Sequence, residues 1–415
     1  MSFCILATAG RGGEEIVIET VDLSLFGNKA RRTLSASAPA EICLTTELRD
    51  FAGFWPRSDR LGSARCYAFQ CAEILELQCE TFARVQNAEP LFVAVLGQSG
   101  EPLALIPLCL HRYSRFTRIF CIFKQTRVLR FLGGGLTDYN APVVFPPVRD
   151  WDIETVRTIW KGLRKVLPAF DIAMLERMPD RVLDLPNPLI MLGTSSRGES
   201  GHAMTLSGTW QDFAGRLPNR HTLRNRISRV SERGKLTFEI AETSDQYDAF
   251  LEGLIRQKRR RHLETQGVGV PDGPGYRAYL TMAKRLRYPS GPVCLFALKV
   301  NDCIIATIFG YVVGSRFSAE IFSFDTAWRS YSPGRISFIK MFEWCFAKGL
   351  DVFDFGAGDE AYKNGYCDVA IALREAAIPA NAKGVLLLCG RTVIDWIRDA
   401  ERRLQSLSQL RRADA

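Results

Sequence analysis

One segment, 293–365, restricts the folds open to this chain more than any other. Two short apolar strands, Cys294–Leu298 and Ile304–Phe309, flank a turn at Asn301-Asp302. A longer strand, Phe317–Phe324, then leads into Arg329-Ser330-Tyr331-Ser332-Pro333-Gly334-Arg335, and an apolar helical stretch, Ile336–Lys348, follows at once. The last strand, Val352–Phe355, ends in Asp354-Phe-Gly356-Ala-Gly358-Asp359-Glu360-Ala-Tyr362-Lys363. A strand, a turn and a helix N-terminus in this order make a site for an anion, because backbone N–H groups and the helix dipole point the same way. Pro333 would fix the turn and Gly334 would let a ligand approach the backbone. The same residues also read as an ordinary strand-to-helix connection with a serine N-cap.

The pattern occurs twice. Phe92–Leu96, Gly97–Gly100 and Leu103–Leu108 repeat the hairpin. Helical stretches precede both hairpins, at Gln70–Asn87 and Gly275–Leu286. After the first hairpin come strand signal at Val128–Leu132 and Val143–Phe145, a helix at Ile153–Leu167 and a strand at Phe170–Glu176. The expectation is an α/β protein of two tandem units, each a mixed sheet flanked by helices. The expected boundaries are 41–185 and 236–390. Residues 186–235 would form a link that includes a basic helix, Arg216–Arg233. Residues 1–40 read as a flexible leader and 391–415 as an amphipathic helix packed on the body, with membrane-surface contact left open. The first copy has Pro146-Pro147-Val-Arg-Asp150 where the second has its turn, so only the second copy is expected to hold a phosphate.

Composition removes several function classes. No apolar run approaches the roughly 18 residues that span a bilayer. The stretch Met1–Gly10 lacks a basic leader, which points to the cytoplasm. The 12 cysteines are scattered without a C-x-x-C pair, so they read as reduced core residues. With 4 histidines and no His/Cys ligand spacing, no metal site is expected. No nucleophile elbow, Walker loop or Cys/His pair stands out, so nothing indicates a covalent mechanism. The net charge of +9 favours an anionic ligand. Arg216, Arg220, Arg224, Arg226, Arg229 and Arg233 carry no interleaved aromatics, which weakens a single-strand nucleic-acid reading.

Two further places carry candidate chemistry. Gly133-Gly134-Gly135-Leu-Thr-Asp138-Tyr139-Asn140 suggests a bulge or close backbone approach, with Asp138, Tyr139 and Asn140 facing a shared cleft and contacting substrate. His262 follows the basic run Lys258–Arg261 and is a substrate contact or a helix-end cation.

The second copy resembles the GNAT acyltransferases, in which a [Q/R]-x-x-G-x-[G/A] turn binds the pyrophosphate of CoA. Here Ser332 replaces the first glycine of that turn. The body from about residue 60 to 375 looks like the CelD-like acetyltransferases associated with cellulose and exopolysaccharide genes. The resemblance rests on Asp354-Phe-Gly-Ala-Gly-Asp-Glu-Ala-Tyr362-Lys363 and on Leu132-Gly-Gly-Gly-Leu-Thr-Asp-Tyr-Asn-Ala-Pro142. Fem-type peptidyltransferases, which also pair two such units, are more distantly similar. The resemblance implies acyl-CoA as co-substrate, held by Arg329, Ser332, Gly334 and Arg335. It implies direct attack on the thioester by an amine of an envelope, polysaccharide or lipid precursor. Asp354, Asp359 and Glu360 are then candidates for base or amine anchor, Tyr362 for the acid at the leaving thiolate, and Lys363 for an anion contact. The alternative is a catalytically silent envelope-assembly or polyanion-binding protein of the same double fold.

Overall fold

The structure is a computed structural model that describes residues 39–115, 124–134, 137–217, 220–265, 274–360 and 362–390. Nearly all of the expected leader and the whole expected terminal helix 391–415 lie outside the described residues.

The first half comprises β1 (Pro39–Thr45), α1 (Ala72–Gln78), α2 (Arg84–Gln86), β2 (Ala88–Gly97), β3 (Pro102–Arg115), β4 (Lys124–Phe131), β5 (Val143–Val144), α3 (Ile153–Val166) and β6 (Ile172–Pro179). A small ribbon, β7 (Arg181–Val182) with β8 (Leu185–Pro186), precedes β9 (Ser195–Thr205), α4 (Trp210–Arg216) and α5 (Arg220–Ser231). The second half runs β10 (Leu236–Ile240), α6 (Ser244–Thr265), α7 (Pro274–Ala283), β11 (Val293–Val300), β12 (Cys303–Val313), β13 (Arg316–Phe324), α8 (Pro333–Ala347), β14 (Val352–Ala357) and β15 (Val369–Pro379).

Local chemistry accounts for these elements. Asp152 caps α3 by accepting from the Thr155 N–H at 2.8 Å, and Val156, Ile159, Trp160 and Leu163 form its buried face at helical spacing. The β2–β3 and β11–β12 hairpins form as expected, with Val93 opposite Ile106 and Phe296 opposite Ile308. Helix α8 begins at Pro333, three residues earlier than its apolar run indicates, because proline is well suited to a first helical position. The expected basic helix is two helices, α4 and α5, with the break around Leu217.

The sheet order is β1-β2-β3-β4-β6-β15-β9-β14-β13-β12-β11-β10. Read from either end, each half contributes an antiparallel run followed by one parallel neighbour. The centre is a reciprocal exchange. β9 follows the first half in sequence but pairs with β14, and β15 follows the second half but pairs with β6. β9 and β15 also pair with each other, so one sheet runs through both halves. The stretch read as a link therefore supplies a central strand. Its sequence, Ser-Ser-Arg-Gly-Glu-Ser-Gly-His-Ala-Met-Thr, lacks apolar alternation because neighbours on both edges hold it by backbone pairing.

The parallel pairs are short. β4 and β6 pair at only Val128–Ile172 and Leu129–Ala173. β13 and β14 pair over Arg316–Val352, Phe317–Phe353 and Ser318–Asp354, then splay apart. In the first half the Thr137–Asn140 loop is bound to β6: Asn140 Nδ2 donates to the carbonyls of Gly134 and Glu176, and Arg177 donates to that of Thr137. In the second half a cavity lies between the Phe322–Phe324 end of β13 and the start of α8.

Candidate active site

The cavity has a volume of about 270 Å³. β13 lines it with Phe322, Ser323 and Phe324, α8 with Pro333, Gly334, Arg335, Ser337 and Phe338, and the closing loop with Tyr362. Arg329 and Ser332 complete the turn side, and Arg261 of α6 faces them. All four residues expected to hold the cofactor thus meet at one wall.

The turn is built in three steps. Asp325 caps a 3-10 turn, Thr326–Tyr331, by accepting from the Ala327 N–H at 3.0 Å. Ser332 then takes a left-handed conformation (φ 55°, ψ 55°), and Pro333 starts α8. Glu264 of α6 braces the outside, accepting from Thr326 Oγ1 at 2.7 Å and lying 3.6 Å from Arg329. The N–H of Ser332 bonds to the Arg329 carbonyl and that of Arg335 to the Ser332 carbonyl. The expectation of several turn N–H groups aimed at a phosphate therefore narrows to Gly334, whose N–H no backbone carbonyl accepts among the described residues. A Cβ on Gly334 would meet only the Phe324 ring, at 3.8 Å.

The closing motif divides into structural and reactive parts. Asp354 is fully buried and committed: Oδ1 accepts from Tyr139 Oη and the Gly356 N–H, both at 2.8 Å, and Oδ2 pairs with Arg316 at 2.7 Å. It ties the two halves together and is not a free base, which corrects the sequence-based role. Tyr139 is likewise buried, so it is the other end of this tie and not a substrate contact. Asn140 is buried as a loop staple. Lys363 is buried and donates to the carbonyls of Ala357 and Gly358 at 2.9 Å, with Glu360 also at 2.9 Å. Its ammonium clips the loop together and does not reach for an anion. Asp359 is half exposed and pairs with His202 of β9 at 2.9 Å. His262 does not line the cavity; its neighbour Arg261 does.

Tyr362 is the member of the motif that lines the cavity. Its ring stacks on Phe338, with centroids 5.4 Å apart. Burial, aided by Glu360, pushes its phenol well up, so it stays protonated at neutral pH.

Beside it sits a polar group that joins the halves. Asp138 approaches Gly356 so closely that a Cβ there would overlap its carboxylate, and Gly356 accordingly has φ 71°. Arg177 stands 3.9 Å from Asp138 and 3.6 Å from Glu199. Burial raises Asp138 to about 7, Asp354 adds to this, and Arg177, Lys363 and the Ala357 N–H oppose it. Glu320 was not anticipated from the sequence. It is the extra residue of a bulge in β13, between Ala319 (opposite Gly310) and Ile321 (opposite Phe309). A bulge re-aims a side chain. Burial and Asp138 raise the Glu320 carboxyl well above its ordinary value, and its Oε2 is sealed from solvent without a hydrogen bond. Burial lowers Lys258 of α6, which Glu320 and Glu360 offset in part. The one sequence signal for Glu320 was a lone acid in an otherwise apolar strand.

Cys109 and His111 do meet, Sγ to Nε2 at 3.2 Å, although no such pair stood out in sequence. Burial pushes the thiol up to about 12 and the imidazole down to about 4, so both are neutral and the pair is inert near pH 7. No group of His, Cys, Asp and Glu arranged to hold a metal occurs among the described residues. No described helix is long and apolar enough to cross a membrane.

Comparison with known proteins agrees with this geometry. Residues 219–364 match the family profile described as an acetyltransferase (GNAT) domain. No curated protein matches the sequence. Among solved structures, FemX aligns with a TM-score of 0.51 at 11% identity, covering 76% of this chain and 90% of its own, a likeness of fold. L-PGS from Bacillus licheniformis aligns with a TM-score of 0.41 at 13% identity, covering 78% and 96%. A tandem GNAT protein from the clavulanic acid biosynthesis pathway gives 0.44 at 10% identity, covering 82% and 99%. The segment that forms the turn, the cavity and most of the closing loop is the part of this chain that is similar to the acetyltransferase (GNAT) domain family.

Proposed function

We propose that this protein transfers an acyl group from acyl-CoA to an amine, with the cofactor in the cavity between the end of β13 and the start of α8. The observation that carries this reading is the cavity itself: Gly334 opens the backbone at the start of α8, and Arg261, Arg329 and Arg335 surround it. Acyl-CoA bound there would present a thioester, an acyl group already activated for transfer. The helix dipole and the Gly334 N–H suit its pyrophosphate. The apolar wall of Phe322, Phe324 and Phe338 suits its uncharged arm.

The protein's own part is proton handling. An alkyl ammonium has a pKa near 10.4, so making it nucleophilic at pH 7 demands roughly 4–5 kcal/mol. Asp138 and Glu320, two acids raised by burial in one polar group, are suited to take that proton. Tyr362 keeps its phenolic proton at the cavity wall, where it is a donor to a departing thiolate. Glu360 and Lys363 hold the loop that presents Tyr362.

The acceptor class suggested by the sequence, an amine of an envelope, polysaccharide or lipid precursor, belongs to this reading. So does the closer resemblance to the CelD-like acetyltransferases, which rests on the two strings around Asp138 and Asp354. Thiol release from acetyl-CoA and long-chain acyl-CoA, measured with polyamines, amino sugars and long-chain bases, tests it. Acceptor-dependent release supports the reading; no release above the rate without protein counts against it.

A further inference from the structure

The arginine helix α5 packs against the turn, and this placement gives its charges a use. Leu223, Ile227 and Val230 form one stripe that packs with Ile336, Trp328 and Tyr331. At 100° per residue, Arg226 and Arg229 then share the flank beside that stripe, while Arg224 lies on the opposite flank. The first flank meets the cofactor turn. Arg226 Nη1 donates to Ser332 Oγ, and the Arg229 guanidinium lies over the Tyr331 ring, 5.6 Å from its centroid. Ser332 is the residue that replaces the family's glycine, and it lines the cavity. A left-handed serine is less favoured than glycine there, and in exchange its hydroxyl anchors Arg226 at the cavity wall.

The charges are also uncompensated. Among the described residues Arg226, Arg229, Arg233 and Arg335 have no carboxylate at ion-pair distance, whereas nearby Arg260 pairs with Asp325 and Glu264, and Arg329 with Glu264. Two like charges three residues apart on one helix flank, Arg226 and Arg229, repel each other unless an anion joins them.

We infer that the Arg226–Arg229 flank of α5 recognises the phosphate of the nucleotide end of the cofactor, the one outside the pyrophosphate. This rests on the acyl-CoA reading above. The turn's one open N–H belongs to Gly334, so the turn is matched to the pyrophosphate. The arginine flank lies beyond Ser332 and remains for the second anionic group. Guanidinium forks suit a phosphate monoester, which carries up to two charges.

The test is calorimetric titration of the full chain with CoA and with 3′-dephospho-CoA. The variants are Arg226→Gln/Arg229→Gln and, as control, Arg224→Gln, each checked by thermal melting. The expected wild-type preference for CoA is at least about tenfold. It should vanish in the double variant, whose affinity for 3′-dephospho-CoA stays at the wild-type value, and persist in Arg224→Gln. A wild type that binds CoA while the double variant keeps its preference overturns this inference and leaves the acyl-CoA reading standing. A wild type that binds neither compound overturns both. Tighter binding of a short single-stranded RNA than of CoA, lost in the double variant, also overturns the inference and assigns α5 to a nucleic acid.

Discussion

Asp138 allows one prediction to be worked through. Its carboxylate is 19% exposed, lies 3.9 Å from Arg177 and touches Gly356 of the other half. Burial, then Asp354, raises it from 3.8 to about 7 against the pull of Arg177, Lys363 and the Ala357 N–H. The folded state therefore binds this proton more tightly than the unfolded chain. The stability tied to that proton is fully present below the unfolded pKa and is lost as pH rises through about 7. About two pK units of the rise lie between pH 5 and pH 7, which is about 3 kcal/mol. In Asp138→Asn this carboxyl no longer titrates. Urea titrations at pH 5 and pH 8 should show wild type losing about 3 kcal/mol more than the variant across that interval. The same substitution tests the base. Wild-type kcat/KM for an amine should rise through the Asp138 pKa of about 7. Asp138→Asn should lower the plateau by about 10²–10⁴-fold and remove that limb of the profile. An unchanged pH profile together with an unchanged stability difference would refute both the burial argument and the assignment.

Tyr139→Phe leaves the buried Asp354 carboxylate without its hydroxyl donor and should cost about 1.5–3 kcal/mol in denaturant titration, with CoA affinity unchanged. Lys363→Met removes the clip on the Ala357 and Gly358 carbonyls; a buried ammonium lost from such partners should cost about 3 kcal/mol or more and free the closing loop to proteolysis. Tyr362→Phe should preserve melting temperature and CoA affinity while lowering kcat and kcat/KM together in steady-state assays, because its proton is used only as the thiolate departs.

What could be read from the sequence was set by how local its signals are. The two hairpins, α3 and α8 depend on apolar periodicity and capping within a few residues, and they stand where the pattern puts them. The turn at the start of α8 was legible because Pro333 suits a first helical position and Gly334 follows it directly. The exchange of β9 and β15 was not, since a central strand held by backbone pairing on both edges needs no apolar alternation. Polar residue types were also ambiguous in role. Asp354, Tyr139, Asn140 and Lys363 have the chemistry of catalysts and are placed as buried ties: the first three find partners far away in sequence, and Lys363 folds back on the Ala357 and Gly358 carbonyls. Glu320 and Asp138 acquire their raised pKa values from the meeting of the halves, which no local pattern records.

On the acyl-CoA reading a CoA thioester occupies the cavity between the end of β13 and the start of α8. The most direct measurement is calorimetric titration of CoA into wild type and Gly334→Trp. A Cβ at residue 334 meets only the Phe324 ring at 3.8 Å, so the indole must enter the cavity of about 270 Å³ and leave the strands in place. The account predicts saturable one-to-one binding by wild type. It predicts an affinity at least about tenfold weaker, about 1.4 kcal/mol, in a variant that melts like wild type. Equal CoA affinity in the two proteins, or no CoA binding by wild type, would contradict it.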